Sequence, residues 1–253
     1  MSGKLTQCSW PGLAEPFATA LRDAVAFICS EVDAAGIVAA GTIVRGTPHR
    51  SSDLDLYVLH NAPLRRRIQR FFGKHVPTEI FINPPFAIRS YFAEEHADGR
   101  PFTAHMLATG HVVFERGPEL QQLRDEATQW LERPSIPDEA ASIRARYGAA
   151  TILEDAFDVT AVDNATSSML RSQAVVAMLE FWCRVKLGHV PRGKDMLSRV
   201  ADCEPILGAL ARRVFSEDPY ADREAASLEL ADRILGVRGF FEWDSEFQPV
   251  SET

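Results

Sequence analysis

The chain has 253 residues, of which 46% are apolar and 25% are charged, and its formal net charge is −8. This composition is typical of a soluble globular protein, and the length suits one large domain or two ordinary ones. The negative charge disfavours binding of nucleic acid through a broad basic face, and no apolar run approaches the roughly 18–20 residues that span a bilayer.

Residues 1–134 alternate between helical and strand patterns. Apolar residues at three-to-four spacing predict a helix from Leu13 to Ala35 that is closed by Gly36. Short apolar runs predict strands at 37–40, 54–59 and 77–83, and a last edge strand at 112–114. We predict a basic helix from Arg65 to Phe72, and further helices at 86–98, 101–109 and 117–131.

Pro134 and Pro137 mark a boundary, and residues 135–253 carry only helical patterns. The predicted helices cover 138–159, 164–187, 194–202, 204–215 and 221–235, and we expect the aromatic tail from Phe240 onward to pack on them. Strands in the first part and helices in the second predict an α+β fold, in which a catalytic domain (1–134) precedes an all-α helical bundle (135–253).

The N-terminal segment has no apolar stretch after its first lysine, so we expect no secretory signal. The cysteines Cys8, Cys29, Cys183 and Cys203 form no CxxC pair, which disfavours a zinc ribbon or a disulfide framework. We therefore expect a cytoplasmic protein. Residues 135–253 carry a net charge of −7, and this surface would favour cationic substrates unless it only makes the helices soluble.

The most informative stretch runs from Gly41 to Leu56. Asp53 and Asp55 are two residues apart at a predicted strand, so both carboxylates face the same side. Adjacent carboxylates repel each other unless a cation lies between them, and hard oxygen ligands suit Mg²⁺. Upstream, Gly41 lets backbone amides approach a phosphate and Thr42 adds a hydroxyl donor. The pattern indicates two-metal phosphoryl or nucleotidyl transfer.

This stretch resembles the signature of the nucleotidyltransferase superfamily typified by DNA polymerase beta. That signature is a Gly-Ser turn, a spacer of about ten residues and Asp-x-Asp in a strand. Here Thr42 replaces the serine, and Arg45 and Ser52 also match small bacterial members. The family has a third carboxylate on a later strand, and Glu79 is its counterpart here. The resemblance implies that Asp53, Asp55 and Glu79 are metal ligands and catalytic residues, and that Gly41, Thr42, Arg45 and Ser52 contact the nucleotide.

The helical part resembles the C-terminal bundle of aminoglycoside adenylyltransferases, which belongs to the HEPN-like helical domains. The cue is a helix that ends at Gly188, a short turn and a second helix that Lys194 opens. The resemblance implies that Lys194 faces the nucleotide, whereas a solvent-exposed lysine is the alternative. Arg184 and His189 match the spacing of a HEPN ribonuclease motif, which also arises often by chance. Arg50 flanks the acidic pair, as Arg45 does.

The resemblance implies adenylyl transfer from ATP, with Mg²⁺ in a two-ion site, to a hydroxyl of a small molecule such as an aminoglycoside-like cation. The alternatives are adenylation of a protein, as by antitoxins paired with HEPN toxins, a non-catalytic nucleotide-binding module, and a HEPN-type ribonuclease. We expect no nucleic-acid or membrane partner, and the sequence does not indicate an oligomeric state.

Overall fold

The structure is a computed structural model that describes residues 5–49 and 51–244. It divides into two units, Met1–Arg133 and Pro134–Thr253. Within the described residues every strand lies in the first unit, and the second unit contains helices alone. The predicted α+β fold class is therefore confirmed, while the functions assigned to the two parts stay predictions.

The first unit is built on a five-stranded mixed sheet in the order β3-β4-β2-β1-β5. β2 and β4 pair in parallel, and the other neighbours pair antiparallel. In chain order the elements are α1 (Phe17–Glu31), β1 (Ala34–Ala40), α2 (Gly41–Val44), β2 (Leu54–His60), β3 (Arg66–Phe72), β4 (Val76–Asn83), α3 (Pro85–Ala97), α4 (Phe102–Thr109), β5 (His111–Glu115) and α5 (Glu119–Glu132).

Each face of the sheet is covered by helices. Alternation along β2 sends Leu54, Leu56 and Val58 to one face, where they pack against Leu21 and Ile28 of α1. The intervening positions of β2, and those of β4 beside them, face α3, α4 and α5, and contribute to a second apolar cluster. The acidic residues of interest lie on this second face, at the end where β2 begins.

The first helix is shorter than predicted because Val32 is already extended, with φ −137° and ψ 152°. Gly36, predicted to close that helix, lies inside the buried strand β1. A Cβ at Gly36 would lie 2.9 Å from the Leu120 side chain, so the glycine allows α5 to approach the sheet closely. A fully buried strand is apolar at every position and shows no alternation. Ala34 and Ala35 are therefore equally compatible with the end of a helix and the start of a strand.

The predicted basic helix from Arg65 to Phe72 is wrong, because Arg66–Phe72 form the edge strand β3. Of these residues only Ile68 is buried. An edge strand that is exposed along most of its length lacks the alternation of apolar and polar residues by which a strand is predicted. Gly73 and His75 have positive φ in the tight turn to β4. A short glycine-containing connection between two runs of this kind is a hairpin signal.

The second unit is a helical bundle. Its elements are α6 (Glu139–Asp158), α7 (Asn164–Leu187), α8 (Gly193–Cys203), α9 (Pro205–Val214) and α10 (Tyr220–Ile234), each within two residues of its predicted bounds. The aromatic tail packs back as predicted, with the Phe241 and Trp243 rings 6.2 and 6.0 Å from the Tyr147 ring. Residues 245–253 lie outside the described part of the chain.

Candidate functional site

Two neighbouring strands bring the predicted carboxylates together. In the parallel register of β2 and β4, Asp55 lies directly beside Glu79. Asp53 precedes Asp55 by two residues and is half-buried, as are the other two. One carboxylate oxygen of each residue lies within 4.8 Å of the other two. These three side chains, called the acidic triad below, therefore form one cluster on one face of the sheet.

Gly41 places the end of β1 against this cluster. It follows Ala40, which lies opposite Asp55 in the β1–β2 register, and its φ is +87°. A Cβ at this position would lie 2.5 Å from Oδ2 of Asp55. Only glycine both adopts this φ without strain and leaves room for the carboxylate. The predicted glycine turn thus lies directly against Asp55.

A short hydrogen-bonded loop joins the glycine turn to Asp53. The hydroxyls of Thr42 and Ser52 share a hydrogen bond of 2.8 Å, and the backbone N–H of His49 donates to the Ser52 hydroxyl at 2.7 Å. Ser52 thus fixes the loop in addition to lying beside the triad. Arg45 is exposed at the end of α2, and Arg50 falls outside the described residues.

Strand β3 supplies partners of Glu79 that the sequence analysis missed. Nη2 of Arg67 donates to both carboxylate oxygens of Glu79, at 3.0 and 3.1 Å, and Gln69 donates to Oε1. The Arg67 guanidinium also lies over the Phe81 ring, 5.0 Å from its centroid. Assigning β3 as a helix hid these contacts, and the hairpin signal at Gly73 was the feature that would have revealed them.

The acidic triad has the chemistry of a divalent-cation site. Three half-buried carboxylates repel one another at this spacing, and a cation among them relieves that repulsion. Carboxylate oxygens are the ligands that Mg²⁺ and Ca²⁺ prefer, and Mg²⁺ commonly binds through one or two of them together with substrate phosphates. The residues present therefore fit the Mg²⁺ ion that the sequence predicts, and they leave coordination positions for a phosphate.

A cavity of about 520 Å³ lies farther along the same face of the sheet. Tyr57 and Phe81 follow Asp55 and Glu79 by two residues and form its floor, with ring centroids 5.9 Å apart and an interplanar angle of 17°. Phe102 meets Phe81 edge-on at 5.7 Å. The cavity is thus an aromatic recess that begins next to the acidic triad.

The inner wall of this aromatic recess is polar. The Thr103 backbone N–H and hydroxyl donate to the two Glu95 carboxylate oxygens, at 2.6 and 2.7 Å. Burial raises the pKa of Glu95, although these hydrogen bonds oppose the shift. Burial likewise raises the pKa of Tyr57, whose hydroxyl accepts a hydrogen bond from Asn83 at 3.0 Å. These wall groups already have protein partners.

Another cavity, of about 630 Å³, lies at the opposite end of β2 beside His60 and Asn61. It is larger than the aromatic recess but includes none of the predicted site residues. The remaining predicted residue, Lys194, is exposed at the start of α8 in the second unit, and its contact with the nucleotide stays a prediction. The same holds for Arg184 and His189, which are half-buried near the end of α7.

No protein-family model and no curated protein matches this chain. Among the solved structures that resemble it is a nucleotidyltransferase-like protein from Exiguobacterium sibiricum, with a TM-score of 0.50 and 13% sequence identity. The likeness covers 86% of this chain and 73% of that one. The chain therefore has the fold of that nucleotidyltransferase-like protein. No helix in residues 5–49 and 51–244 is long and apolar enough to cross a membrane.

Proposed function

We propose that the protein transfers a nucleoside monophosphate, AMP from ATP, to a hydroxyl group of a small molecule in a Mg²⁺-dependent reaction. The observation that carries the proposal is the acidic triad, whose oxygens lie within 4.8 Å of one another beside the Gly41 turn. The fold shared with a nucleotidyltransferase-like protein supports it. The proposal makes Asp53, Asp55 and Glu79 the catalytic and metal-binding residues.

Asp53 and Asp55 would hold Mg²⁺, and Glu79 lies close enough to share a second ion. When bound, Mg²⁺ neutralises the charge of the phosphates and of the departing pyrophosphate. The protein itself holds the nucleotide in place. The Gly41 backbone and the Thr42 hydroxyl would contact the terminal phosphates, with Ser52 keeping Thr42 in position. Arg45 and Lys194 are proposed as further cationic contacts to the nucleotide.

The reaction forms one bond to phosphorus and breaks another. The acceptor hydroxyl oxygen attacks the α-phosphorus, the bond from that phosphorus to the bridging oxygen of the β-phosphate breaks, and pyrophosphate leaves with the electron pair. The hydroxyl proton passes to a base. Glu79 is the proposed base, and it lies two residues before Phe81, which lines the aromatic recess.

The hydrogen bonds of Glu79 limit what it can do at one time. A carboxylate offers about four acceptor positions, two on each oxygen. Arg67 and Gln69 occupy both positions on Oε1, and Arg67 also uses one of the two on Oε2. In this arrangement a single position on Oε2 remains, so Glu79 serves either as a metal ligand or as the base unless a β3 residue releases it.

Pyrophosphate release and Mn²⁺ binding, measured on the same variants, test the proposal. We expect Asp53→Asn combined with Asp55→Asn to abolish pyrophosphate release from ATP and to remove tight Mn²⁺ binding seen by electron paramagnetic resonance. Asp23→Asn removes an exposed carboxylate of α1 and should change neither measurement. Pyrophosphate release that survives in the double variant would refute the proposal.

Incubation with α-³²P-ATP and separate pools of small molecules, proteins and RNA distinguishes the alternatives by which pool is labelled or cleaved. Label in small molecules supports the proposal, and label in proteins would indicate protein adenylation. ATP binding without pyrophosphate release would indicate a nucleotide-binding module, and cleavage of RNA would indicate the ribonuclease. An aminoglycoside-like cation is the acceptor class that the sequence resemblance implies, whereas Arg67 beside Glu79 favours an acceptor of opposite charge.

A further inference from the structure

The aromatic recess is placed where an acceptor must lie if the proposed function is correct. Two residues along a strand span about 7 Å, so the Phe81 side chain lies on the same face of the sheet as Glu79, about 7 Å farther along β4. The cavity volume of about 520 Å³ is in the range that holds a small organic molecule. A molecule in the recess can therefore extend a hydroxyl group toward the acidic triad.

The walls of the recess suit a flat ring. Tyr57 and Phe81 are stacked, and Phe102, whose side chain is 48% exposed, stands edge-on above Phe81. Tyr57 and the Arg67 guanidinium lie on either side of the Phe81 ring, so the exposed ring on which a planar group can stack is Phe102.

The charges at the rim favour an anion. Arg65, Arg66 and Arg67 all line the recess. Arg66 pairs with Glu31 at 3.0 Å and Arg67 with Glu79, whereas the hydrogen bond given for Arg65 is to the neutral hydroxyl of Tyr91, at 3.1 Å. No ion pair involves Arg65 among the described residues, so its guanidinium has donors available for a carboxylate or phosphate.

Glu95 is the one carboxylate among the described residues that line the recess, and it does not offset the positive charge of the arginines. Both oxygens of Glu95 accept hydrogen bonds from Thr103, and Glu95 is half-buried behind the aromatic floor. It is therefore committed to holding the start of α4 and is poorly available to a cationic ligand.

We propose, on the basis of the proposed function, that the aromatic recess binds the acceptor and that this acceptor is an anionic molecule with a planar ring. The ring stacks on Phe102, and Arg65 pairs with a phosphate or carboxylate group. The acceptor hydroxyl then points toward Glu79. An aminoglycoside-like cation is the competing acceptor class.

Equilibrium binding to the full chain, saturated with Mg²⁺ and a non-hydrolysable ATP analogue, tests the assignment. The probes are uridine 5′-monophosphate, which has ring and phosphate, uridine, which has the ring alone, ribose 5-phosphate, which has the phosphate alone, and 4-hydroxybenzoate, which has ring and carboxylate. Kanamycin represents the polyhydroxylated cations. We expect the ring-bearing anions to bind at least tenfold more tightly than the other three, and the stronger of the two identifies the anionic group.

Matched variants locate the site. Phe102→Ala and Arg65→Gln should each weaken binding of the tighter probe by fivefold or more. Phe71→Ala and Arg70→Gln remove an exposed phenylalanine and arginine of β3 that do not line the recess, and should leave binding unchanged. Kanamycin or uridine binding as tightly as the anions, or indifference to Phe102→Ala and Arg65→Gln, would overturn the assignment.

The outcome is separable from that of the proposed function. Probe binding that depends on Arg65 and Phe102, together with no pyrophosphate release with any acceptor, would refute nucleotidyl transfer and leave the ligand class of the recess standing. Pyrophosphate release that depends on the triad but is stimulated only by kanamycin would refute the recess assignment and leave nucleotidyl transfer standing.

Discussion

Replacing Gly41 with alanine should damage the acidic triad far more than it damages the fold. At φ +87° an alanine is strained, which costs about 1–3 kcal/mol. The added Cβ would also lie 2.5 Å from Oδ2 of Asp55. That oxygen ends a flexible side chain, so the carboxylate moves aside by about 1 Å to restore an ordinary contact, with little further cost in stability. A displacement of about this size at a reacting centre can cost about 100-fold in rate.

Gly46→Ala is the matched control for this change. Gly46 lies in the same loop with φ +77°, and a Cβ there would meet no atom within 4 Å. Both variants should therefore unfold a few degrees below the wild type, because a loss of 1 kcal/mol lowers the melting temperature by roughly 2–4 °C in a chain of this size. Only Gly41→Ala should also weaken Mn²⁺ binding, by about 10- to 100-fold, as changes around metal ligands commonly do.

Mn²⁺ titration by electron paramagnetic resonance and thermal unfolding by circular dichroism measure the two effects on the same samples. Pyrophosphate release adds the catalytic readout. Equal loss of Mn²⁺ affinity in Gly41→Ala and Gly46→Ala would show that loop strain, and not contact with Asp55, governs the site. Unchanged Mn²⁺ binding in Gly41→Ala would remove Asp55 from the proposed ligands.

Three further changes test other parts of the structure. Arg67→Gln removes a cation next to the acidic triad and should tighten Mn²⁺ binding by roughly three- to tenfold at low salt. The control Arg66→Gln should leave Mn²⁺ binding unchanged. Equal effects of the two variants would show that the charge next to the triad is not the cause. Burial raises the pKa of Cys183 to about 11, so Ellman's reagent at pH 8 should modify the exposed Cys203 within minutes and Cys183 only after unfolding. Rapid labelling of Cys183 in the folded protein would count against this packing. Gly208→Ala places a Cβ 2.5 Å from a backbone atom of α8. This overpacking should lower the free energy of unfolding, measured by urea titration, by about 1–3 kcal/mol. An unchanged urea midpoint would show that α8 and α9 lie farther apart.

The sequence was sufficient to predict the elements whose residues follow a clear period. α7 buries residues at three-to-four spacing, from Ser167 and Arg171 to Cys183, and it matches its predicted bounds, Asn164–Leu187. β4 was also predicted within one residue, because buried Ile80 and Ile82 alternate with less buried neighbours. Composite spacing, from Gly41 to Asp53 and Asp55, identified residues that the structure brings into contact.

The elements that were misjudged lack such a period. β3 exposes most of its side chains, so its arginines read as a solvated helix face, and the consequence was that Arg67 and Gln69 were missed as partners of Glu79. The aromatic recess was missed for a different reason. Tyr57, Phe81 and Phe102 come from separate elements, and only the pairing of β2 with β4 and the return of α4 across the sheet bring their rings together.

The parallel pairing of β2 with β4 makes the proposed cation binding depend on the alignment of these two strands. Asp55 and Glu79 share a face only while each residue of β2 stays opposite its present partner in β4. A slip of one position would turn the Glu79 carboxylate to the side of the sheet occupied by α1. Substitutions at Ile80 or Ile82 that loosen β4 should therefore impair Mn²⁺ binding although they remove no oxygen ligand. During refolding, recovery of that binding would mark the moment at which the two strands reach their native alignment.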